Sequence, residues 1–309
     1  MIAVYKAQGL SQTEMAEKLG RHRATICREL KRNAPPVYKG YYLSHKAQER
    51  YEKRMSHSHT HQRLKNQRIR YYVEEKLKLL WSPELIAGRI RKELPGESIS
   101  HEAIYQYVYE EKRELIKYLV RAHKKRKKRG YSRKHTKSHI PDRVSIAERT
   151  AEANERTEIG HWEADSVVSR QSKAALNVIT ERKSRLTRIT RMNQKTAACT
   201  DKAITKALAE YPAHVRKTIT YDNGSENVLH MKTNKALGTS SYFCNPYHSW
   251  EKGTDENRIG VLRWHWPKKT DFAKLNDEEI AWVENWINSR PMKCLDYDTP
   301  YEAFVALNG

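Results

Sequence analysis

Three acidic side chains stand where carboxylates can do chemistry: Asp165, Asp222 and Glu256. Asp165 lies inside the β-like run HWEADSVVS, and Asp222 ends a second such run at YDNGSEN. Glu256 lies in GTDENRIGVLRWHWP, a helical stretch that begins near Thr254. A buried acid in a strand is costly unless it is paired or bound to a metal. Acids on a central strand, a neighbouring strand end and an adjacent helix can therefore converge on one pair of divalent cations.

Carboxylates are the oxygen ligands that Mg²⁺ prefers, whereas Cys or His would favour other metals. Two Mg²⁺ ions ~3.5–4 Å apart can stabilise the attacking and the leaving oxygen of a phosphodiester displacement. The pattern thus predicts two Mg²⁺ ions per site, with Mn²⁺ able to substitute. Asp222 has a second interpretation, because Asn223-Gly224 is a strong turn signal and Asp is common at turns.

The elements around the acids are typical of an α/β domain. The β-like runs lie at 161–169, 173–184, 185–193, 216–220 and 241–248. Helical stretches separate the last three of these runs from one another. Strands followed by strands alternating with helices predict a mixed five-stranded sheet. His161 and Glu163 share the strand face of Asp165, and for both a hydrogen-bonded structural role competes with support of the site. Trp282 and Trp286, four apart on an amphipathic helix, are expected in the core.

Residues 1–34, the first module, predict a helix-turn-helix. Ser11 and Glu14 give a capping-box start, and Gly20 separates two short helices. Side chains suited to base edges and phosphates point away from the packed face of the second helix: His22, Arg23, Thr25 and Arg28. DNA binding is the favoured interpretation, and a plain helical hairpin is the alternative.

Residues 73–120, the second module, repeat the pattern with less positive charge. Ser82 before Pro83 marks one helix start, and Ser100 marks the next. The chain is thus expected to be multidomain, with all-α modules before an α/β core. Its expected parts are the first module (1–34), a helical connector (35–72), the second module (73–120), a basic linker (121–157) and the core (158–309).

The positive charge lies almost entirely in the first half of the chain. Residues 1–140 hold 34 basic and 14 acidic side chains and no Asp, whereas residues 141–309 hold 25 and 23. This partition indicates a polyanionic partner, nucleic acid before an anionic membrane surface. The linker is the most basic stretch, and phosphate contact competes there with a solvated tether at Lys124, Lys125, Arg126, Lys127, Lys128 and Arg129.

The cysteines are isolated, which argues against a zinc ribbon or a disulfide framework. No apolar run approaches the ~20 residues that span a bilayer, and no signal peptide is recognisable. A cytoplasmic protein is therefore expected.

Several motifs together resemble one family. HWEAD, YDNGSEN and WEKGTDENRIGVLRWHWPKKTDF, with 33 residues between Asp222 and Glu256, are similar to the DDE transposases of bacterial insertion sequences. GLSQTEMAEKLGRHRATICREL, WSPELIAGRI and NSRPMKCLDYDTPYEAF resemble the IS-thirty family in particular, so the resemblance covers nearly the whole chain. Asp255 competes with Glu256 for the third acid, but Glu256 followed by Asn257 matches the family pattern.

The resemblance implies a ribonuclease-H-like core in which Asp165, Asp222 and Glu256 are the catalytic acids. It further implies binding to terminal inverted repeats, cleavage and strand transfer into target DNA, and a homo-oligomer, at least a dimer. We expect no nucleotide cofactor, no membrane partner and a nucleoid-associated location in the bacterial cytoplasm. Two alternatives are a DNA-binding regulator with an inactive core and a ribonuclease-H-type nuclease.

Overall fold

The computed structural model describes residues 1–33, 41–59, 64–119, 140–245 and 248–308, and within these ranges all side chains except those of 57–59, 249, 250, 255 and 256. The chain divides into two compact units, Met1–Lys65 and Asn66–Gly309. No helix in the described ranges combines the length and apolar character needed to cross a membrane.

The first unit consists of short helices around a small apolar centre. Its helices are α1 (Ile2–Ala7), α2 (Gln12–Lys18), α3 (Arg23–Arg32) and α4 (Ser44–His59). Ser11 and Glu14 form the predicted capping box at the start of α2. Met15 and Ala16 of α2 pack against Ile26 of α3, so the two helices of the first module bury one side each.

The second unit begins with a three-helix arrangement. Its helices are α5 (Gln67–Lys78), α6 (Pro83–Glu93) and α7 (His101–Gln106), and α7 continues as a π-helical turn over Tyr107–Glu111. Ser82 and Ser100 cap α6 and α7 as predicted, each accepting a hydrogen bond from a backbone N–H three residues on. Helix α5 begins before residue 73, so the second module uses α5 as well as α6 and α7.

Helix α6 is attached to the last segment of the chain. Arg89 is 8% exposed, and its guanidinium pairs with Glu93, Asp298 and Glu302. The absence of a side chain at Gly88 admits the ring of Tyr297, because a Cβ there would lie 2.1 Å from that ring. These contacts fix the second module to the core.

A mixed five-stranded sheet forms the core. The strands are β1 (His161–Val168), β2 (Ala175–Glu181), β3 (Thr187–Met192), β4 (Thr218–Tyr221) and β5 (Ser240–Phe243). Their order is β3-β2-β1-β4-β5, with β1–β2 and β2–β3 antiparallel and β1–β4 and β4–β5 parallel. The predicted mixed sheet is confirmed, and β1 is its central strand.

Helices cover both faces of this sheet. They are α8 (Ala151–Glu155), α9 (Ala197–Leu208), α10 (His230–Leu237), α11 (Gly253–His265), α12 (Asp277–Asn288) and α13 (Pro300–Asn308). Trp162 and Ala164 of β1 pack with α9, whereas Val167 packs with α11 and α12. Because strand side chains alternate, Asp165 lies on the face that α11 covers.

The expectation for the two tryptophans of α12 is half wrong. Trp286 is 8% exposed, but Trp282 is 57% exposed. The buried side of α12 includes Ile280, Val283 and Ile287. Residue 282 lies about 100° from residue 283 around a helix, which places Trp282 outside that buried side.

Candidate active site

Asp165 and Asp222 lie side by side because β1 and β4 run parallel. The pairs of this ladder are His161 with Thr218, Trp162 with Ile219, and Glu163 with Thr220. Continuing the register by two residues sets Asp165 opposite Asp222, one residue beyond the end of β4. Neighbouring strands lie about 4.8 Å apart, and side chains at matching positions share a face. Both carboxylates therefore face the α11 side of the sheet.

The surroundings of Asp165 favour a nearby cation. Its Oδ1 accepts a hydrogen bond from the backbone N–H of Ser166 at 2.8 Å, and Lys252 Nζ lies 3.7 Å from the same oxygen. Burial raises the pKa of Asp165 above its ordinary value, Lys252 lowers that pKa, and the charge of Asp222 raises it. The two carboxylates thus repel each other at close range, and a bound divalent cation would relieve that repulsion.

Asp222 is both a turn residue and a carboxylate directed at the site. Its Oδ1 accepts hydrogen bonds from Gly224 N at 3.1 Å and from Asn227 Nδ2 at 2.8 Å. Within the described part of the chain, these are the hydrogen bonds of the Asp222 side chain, and both end on Oδ1. The other carboxylate oxygen, Oδ2, is therefore available to a ligand. The turn thus orients the carboxylate, and the role of Asp222 as a metal ligand stays a prediction.

The rest of the YDNGSEN turn is also held by specific contacts. Asn223 Nδ2 donates to the backbone oxygen of Cys244 at 2.7 Å. The Glu226 carboxylate lies so close to Gly224 that a Cβ there would meet it at 2.3 Å. Lys195 Nζ pairs with Glu226 at 2.7 Å, and the charge of Lys195 also lowers the pKa of Asp165. A side chain at position 224 would therefore displace the Glu226 carboxylate from its place beside the turn.

Sequence reasoning missed Lys195, Glu226 and Asn227. Glu226 and Asn227 had a weak signal, since they lie within five residues of Asp222 in a strongly polar turn. Lys195 had none, because it lies 31 residues before its partner Glu226 in the chain. Contacts of this kind follow from the fold and not from local spacing.

The third acid lies at the start of α11. The helix begins at Gly253, one residue before the expected start. Lys252 Nζ donates to the backbone oxygen of Ala164 at 2.9 Å, which ties the beginning of α11 to β1 beside Asp165. Position 256 follows Lys252, the N-cap of α11, by about one helical turn. The side chains of Asp255 and Glu256 lie outside those described, and the choice of Glu256 stays a prediction.

His161 and Glu163 have structural roles. His161 Nδ1 lies 2.8 Å from Thr218 Oγ1, and its Nε2 lies 2.9 Å from Glu158 Oε1. Glu163 is fully buried and forms an ion pair with Arg182. Both side chains have these partners without involving Asp165 or Asp222, so the hydrogen-bonded interpretation agrees with the structure.

The basic residues near Glu256 do not form one phosphate-binding surface. Lys252 and Arg258 are buried, and Arg258 donates to the backbone oxygen of Arg185 at 2.7 Å. Their burial argues against a direct contact of these two side chains with a phosphate of DNA. Lys268 and Lys269 are exposed, and both a solvated surface and phosphate contact are compatible with their position.

The candidate DNA-binding residues of the first module lie on α3. His22 is its N-cap, with Nδ1 accepting a hydrogen bond from Ala24 N at 3.2 Å. Arg23, Thr25 and Arg28 are exposed, whereas Ile26 is buried. The linker residues Lys124 to Arg129 lie outside the described residues.

The donor set fits a divalent metal, although the described side chains alone do not complete it. Among them, no group of three His, Cys, Asp or Glu residues comes close enough to hold an ion. Asp165 and Asp222 provide two hard oxygen ligands on one face, and Glu256 is the third acid of the expected set. Two neighbouring carboxylates with few cationic partners are a site that a hard cation would satisfy.

Comparison with known proteins places this geometry in a class. An integrase core domain matches residues 155–249, and a helix-turn-helix domain matches residues 1–33. The first of these spans β1, β4 and both aspartates. The protein is thus a polynucleotidyl transferase with an integrase-type, ribonuclease-H-like core, and such a core implies use of a divalent metal.

Whole-chain relatives define the family. The transposase for insertion sequence element IS1086 of Cupriavidus metallidurans is 34% identical, over 98% of this chain and 91% of that protein. Transposase InsI for insertion sequence element IS30A of Escherichia coli is 34% identical, over 95% of this chain and 78% of that protein. The chain belongs to the IS-thirty (IS30) family of DDE transposases of insertion sequences.

The catalytic core domain of BIV integrase aligns with 47% of this chain and 93% of that domain, at 18% identity and a TM-score of 0.36.

Proposed function

We propose that this transposase binds the terminal inverted repeats of its insertion sequence and cuts and joins DNA with Asp165, Asp222 and Glu256. The observation that supports the proposal most strongly is the β1–β4 register, which sets Asp165 opposite Asp222 on the face covered by α11. We assign two Mg²⁺ ions to the three acids, with Mn²⁺ able to replace them.

When bound, the ions would supply Lewis-acid stabilisation of the attacking and leaving oxygens. The protein residues provide orientation. Ser166 N–H fixes Asp165, and Gly224 with Asn227 fixes Asp222, so neither carboxylate has to reorganise during the reaction. Lys252 offsets part of the negative charge at Asp165 and anchors the helix that carries Glu256.

The reaction consists of two in-line displacements. Water first attacks a phosphodiester at the end of the element, which breaks a P–O bond and frees a 3′-hydroxyl. That hydroxyl then attacks a second phosphodiester, and one P–O bond forms as another breaks. Because the number of phosphodiester bonds is conserved in the second step, strand transfer needs neither ATP nor a covalent enzyme intermediate.

The partners are double-stranded DNA at the two ends of the element and at the target. Two ends have to be held together for joining, so the active form is assigned as a homo-oligomer, at least a dimer. The resemblance to the family further implies a circular intermediate with abutted ends. A cytoplasmic, nucleoid-associated location agrees with the excess of 20 positive charges in residues 1–140.

The test replaces each acid with its isosteric amide in the full-length protein. Asp165→Asn, Asp222→Asn and Glu256→Gln are each expected to lower cleavage and strand transfer by about three orders of magnitude, since the lost stabilisation amounts to several kcal/mol. Binding of end DNA, measured by fluorescence anisotropy, should stay within about twofold because binding depends on the helical modules.

Asp255→Asn is the matched control and should keep most of the activity. Loss of activity in Asp255→Asn together with an active Glu256→Gln would move the third ligand to Asp255. Wild-type protein that binds ends but never nicks a plasmid would support the regulator. Nicking without any joining would support the nuclease.

A further inference from the structure

A cavity of about 270 Å³ lies beside the first turns of α11. Arg156, Arg185 and Arg258 line it together with Thr254 and Asn257. Neither Asp165 nor Asp222 is among the residues that line it. The cavity is thus separate from the site of Asp165 and Asp222.

Two guanidinium groups converge on one hydroxyl in this cavity. Arg185 Nη1 donates to Thr254 Oγ1 at 2.7 Å, and Arg156 Nη2 donates to the same oxygen at 3.2 Å. The Nε atoms of both arginines are buried and, within the described part of the chain, have no hydrogen-bond partner. Buried donors without acceptors are unfavourable, and an oxygen-rich ligand would supply the missing acceptors.

The charges around the cavity are also unbalanced. Burial lowers the pKa of Arg156, and the positive charges of Arg185 and then Arg182 lower it further. Arg182 has its own carboxylate partner, Glu163. Among the side chains that the structure describes, neither Arg156 nor Arg185 forms an ion pair. An anionic ligand would relieve this repulsion.

The backbone conformation at both arginines is a further indication of a binding site. Arg156 has φ 58° and Arg185 has φ 65°, the left-handed region that residues other than glycine rarely adopt. Glycine would fill either turn without strain, so the turns themselves do not require arginine. What arginine adds at each position is a guanidinium aimed at Thr254. Strained backbone of this kind concentrates at functional sites.

The start of α11 adds to the positive potential. Its N-cap residue, Lys252, makes no side-chain capping hydrogen bond. The first N–H groups of a helix carry partial positive charge and favour anions. Arg156 and Arg185 therefore stand next to a helix end that already attracts negative charge.

We propose that Arg156, Arg185 and Thr254 bind a backbone phosphate of DNA outside the reacting phosphodiester. A planar guanidinium matches the oxygens of a phosphate group, and two of them give the site both charge and orientation. The cavity shares no lining residue with Asp165 and Asp222, so the phosphate that it binds is a different one from the reacting phosphodiester. The inference rests on the proposed function, since DNA is the ligand.

The test measures DNA binding by the full-length protein in metal-free buffer, where no cutting occurs. The variant is Arg156→Gln/Arg185→Gln, and the matched control is Lys206→Gln, an exposed residue of α9. A series of end DNAs carries one uncharged methylphosphonate each, at successive positions. At one position, the methylphosphonate should weaken wild-type and Lys206→Gln binding about tenfold. The double variant should bind the DNA with the methylphosphonate at that position as tightly as it binds the unmodified DNA.

The salt dependence gives an independent readout. In the double variant, the slope of log K against log salt should become shallower by about 0.9, the amount expected when one phosphate is no longer neutralised. Arg156→Lys/Arg185→Lys retains the charge and should retain most of the slope, which guards against a folding defect. If the double variant melts at a lower temperature but keeps the wild-type slope and the wild-type response at every methylphosphonate, the arginines serve stability alone and the inference is overturned.

Inorganic phosphate separates a DNA site from a site for a free anion. Phosphate that raises the melting temperature of the wild type but not of the double variant, with unchanged DNA binding in both, would assign the cavity to a free anion and overturn the inference. These measurements do not depend on catalysis. Activity retained by the amide variants of the acids would reject the proposed function and leave the phosphate-binding result to be judged separately.

Discussion

The first and second modules use arginine in opposite ways. In the first module, Arg23 and Arg28 are exposed on α3. In the second module, Arg89 of α6 is buried against Glu93, Asp298 and Glu302. One helical pattern thus presents a basic surface in one case and an attachment to the catalytic core in the other. Helical spacing predicts which side of a helix its own module buries, but not whether another element covers the remaining side.

The largest effect on stability is expected when the attachment is broken. Arg89→Met removes a guanidinium that pairs with three carboxylates. Glu302 then loses its ion pair, whereas Glu93 keeps Lys76 and Asp298 keeps Lys92. We expect a loss of about 2–3 kcal/mol in the free energy of unfolding, below the value for a fully buried pair because the acids are partly exposed. Urea unfolding of the full-length protein measures it.

Arg91→Met on the same helix is the matched control, because Arg91 is exposed. A surface substitution of this kind should stay within about 0.5 kcal/mol. Equal stability of the two variants would mean that Arg89 does not attach the second module to the core.

Because Arg23 and Arg28 of the first module are exposed, they are expected to determine its specificity for a DNA sequence. Arg23→Ala or Arg28→Ala should remove about 1–3 kcal/mol of discrimination between the terminal repeat and random DNA, the amount of one bidentate contact with guanine. Neither change should lower the stability of the fold appreciably. Competition binding over a salt series provides the measurement.

Variants of the basic linker are compared with the Arg23 and Arg28 variants in the same experiment. Neutralising Lys124, Lys125, Lys127 and Lys128 should weaken binding to both DNAs alike and reduce the salt slope by about 0.9 for each phosphate that the linker no longer neutralises. If the linker variant loses its preference for the terminal repeat while the α3 variants keep theirs, sequence is read by the linker and not by α3.

A smaller effect on the melting temperature is expected when the pH is lowered. The hydrogen bond with Arg89 lowers the pKa of Glu302 to about 2. A carboxyl whose folded pKa is depressed stabilises the fold above its unfolded pKa of about 4.5 and loses that contribution as pH falls towards the folded value. The melting temperature of the wild type should therefore approach that of Glu302→Gln between pH 5 and pH 2. A constant difference across this range would contradict the attachment through Glu302.

Local signals in the sequence located most elements and the two aspartates that the sheet brings together. The capping residues Ser11, Ser82 and Ser100 act through backbone groups a few residues away, so their roles follow from spacing. Asp165 and Asp222 were found because each acid stands out in, or at the end of, a β-like run. The sheet order then set them side by side.

What could not be predicted depends on residues far apart in the chain. Arg89 meets Glu302 only because the end of the chain returns to α6. Arg156 and Arg185 meet at Thr254 because two turns and a helix start come together around the sheet. Trp282 was misjudged because one residue of helical rotation decides between burial and exposure. Such contacts follow from tertiary packing, which local periodicity does not contain.

The most direct test of the catalytic account concerns Asp222, whose side chain serves both the turn and the acid pair. Asp222→Cys replaces a hard oxygen ligand with sulfur, which Mn²⁺ accepts more readily than Mg²⁺. Strand cleavage by Asp222→Cys is measured with each ion at equal concentration, alongside the wild type. The account predicts almost no cleavage with Mg²⁺ and at least about tenfold more with Mn²⁺, beyond any gain of the wild type. The same rate with both ions, in a folded variant that still binds end DNA, would assign Asp222 to the turn and contradict its role as a metal ligand.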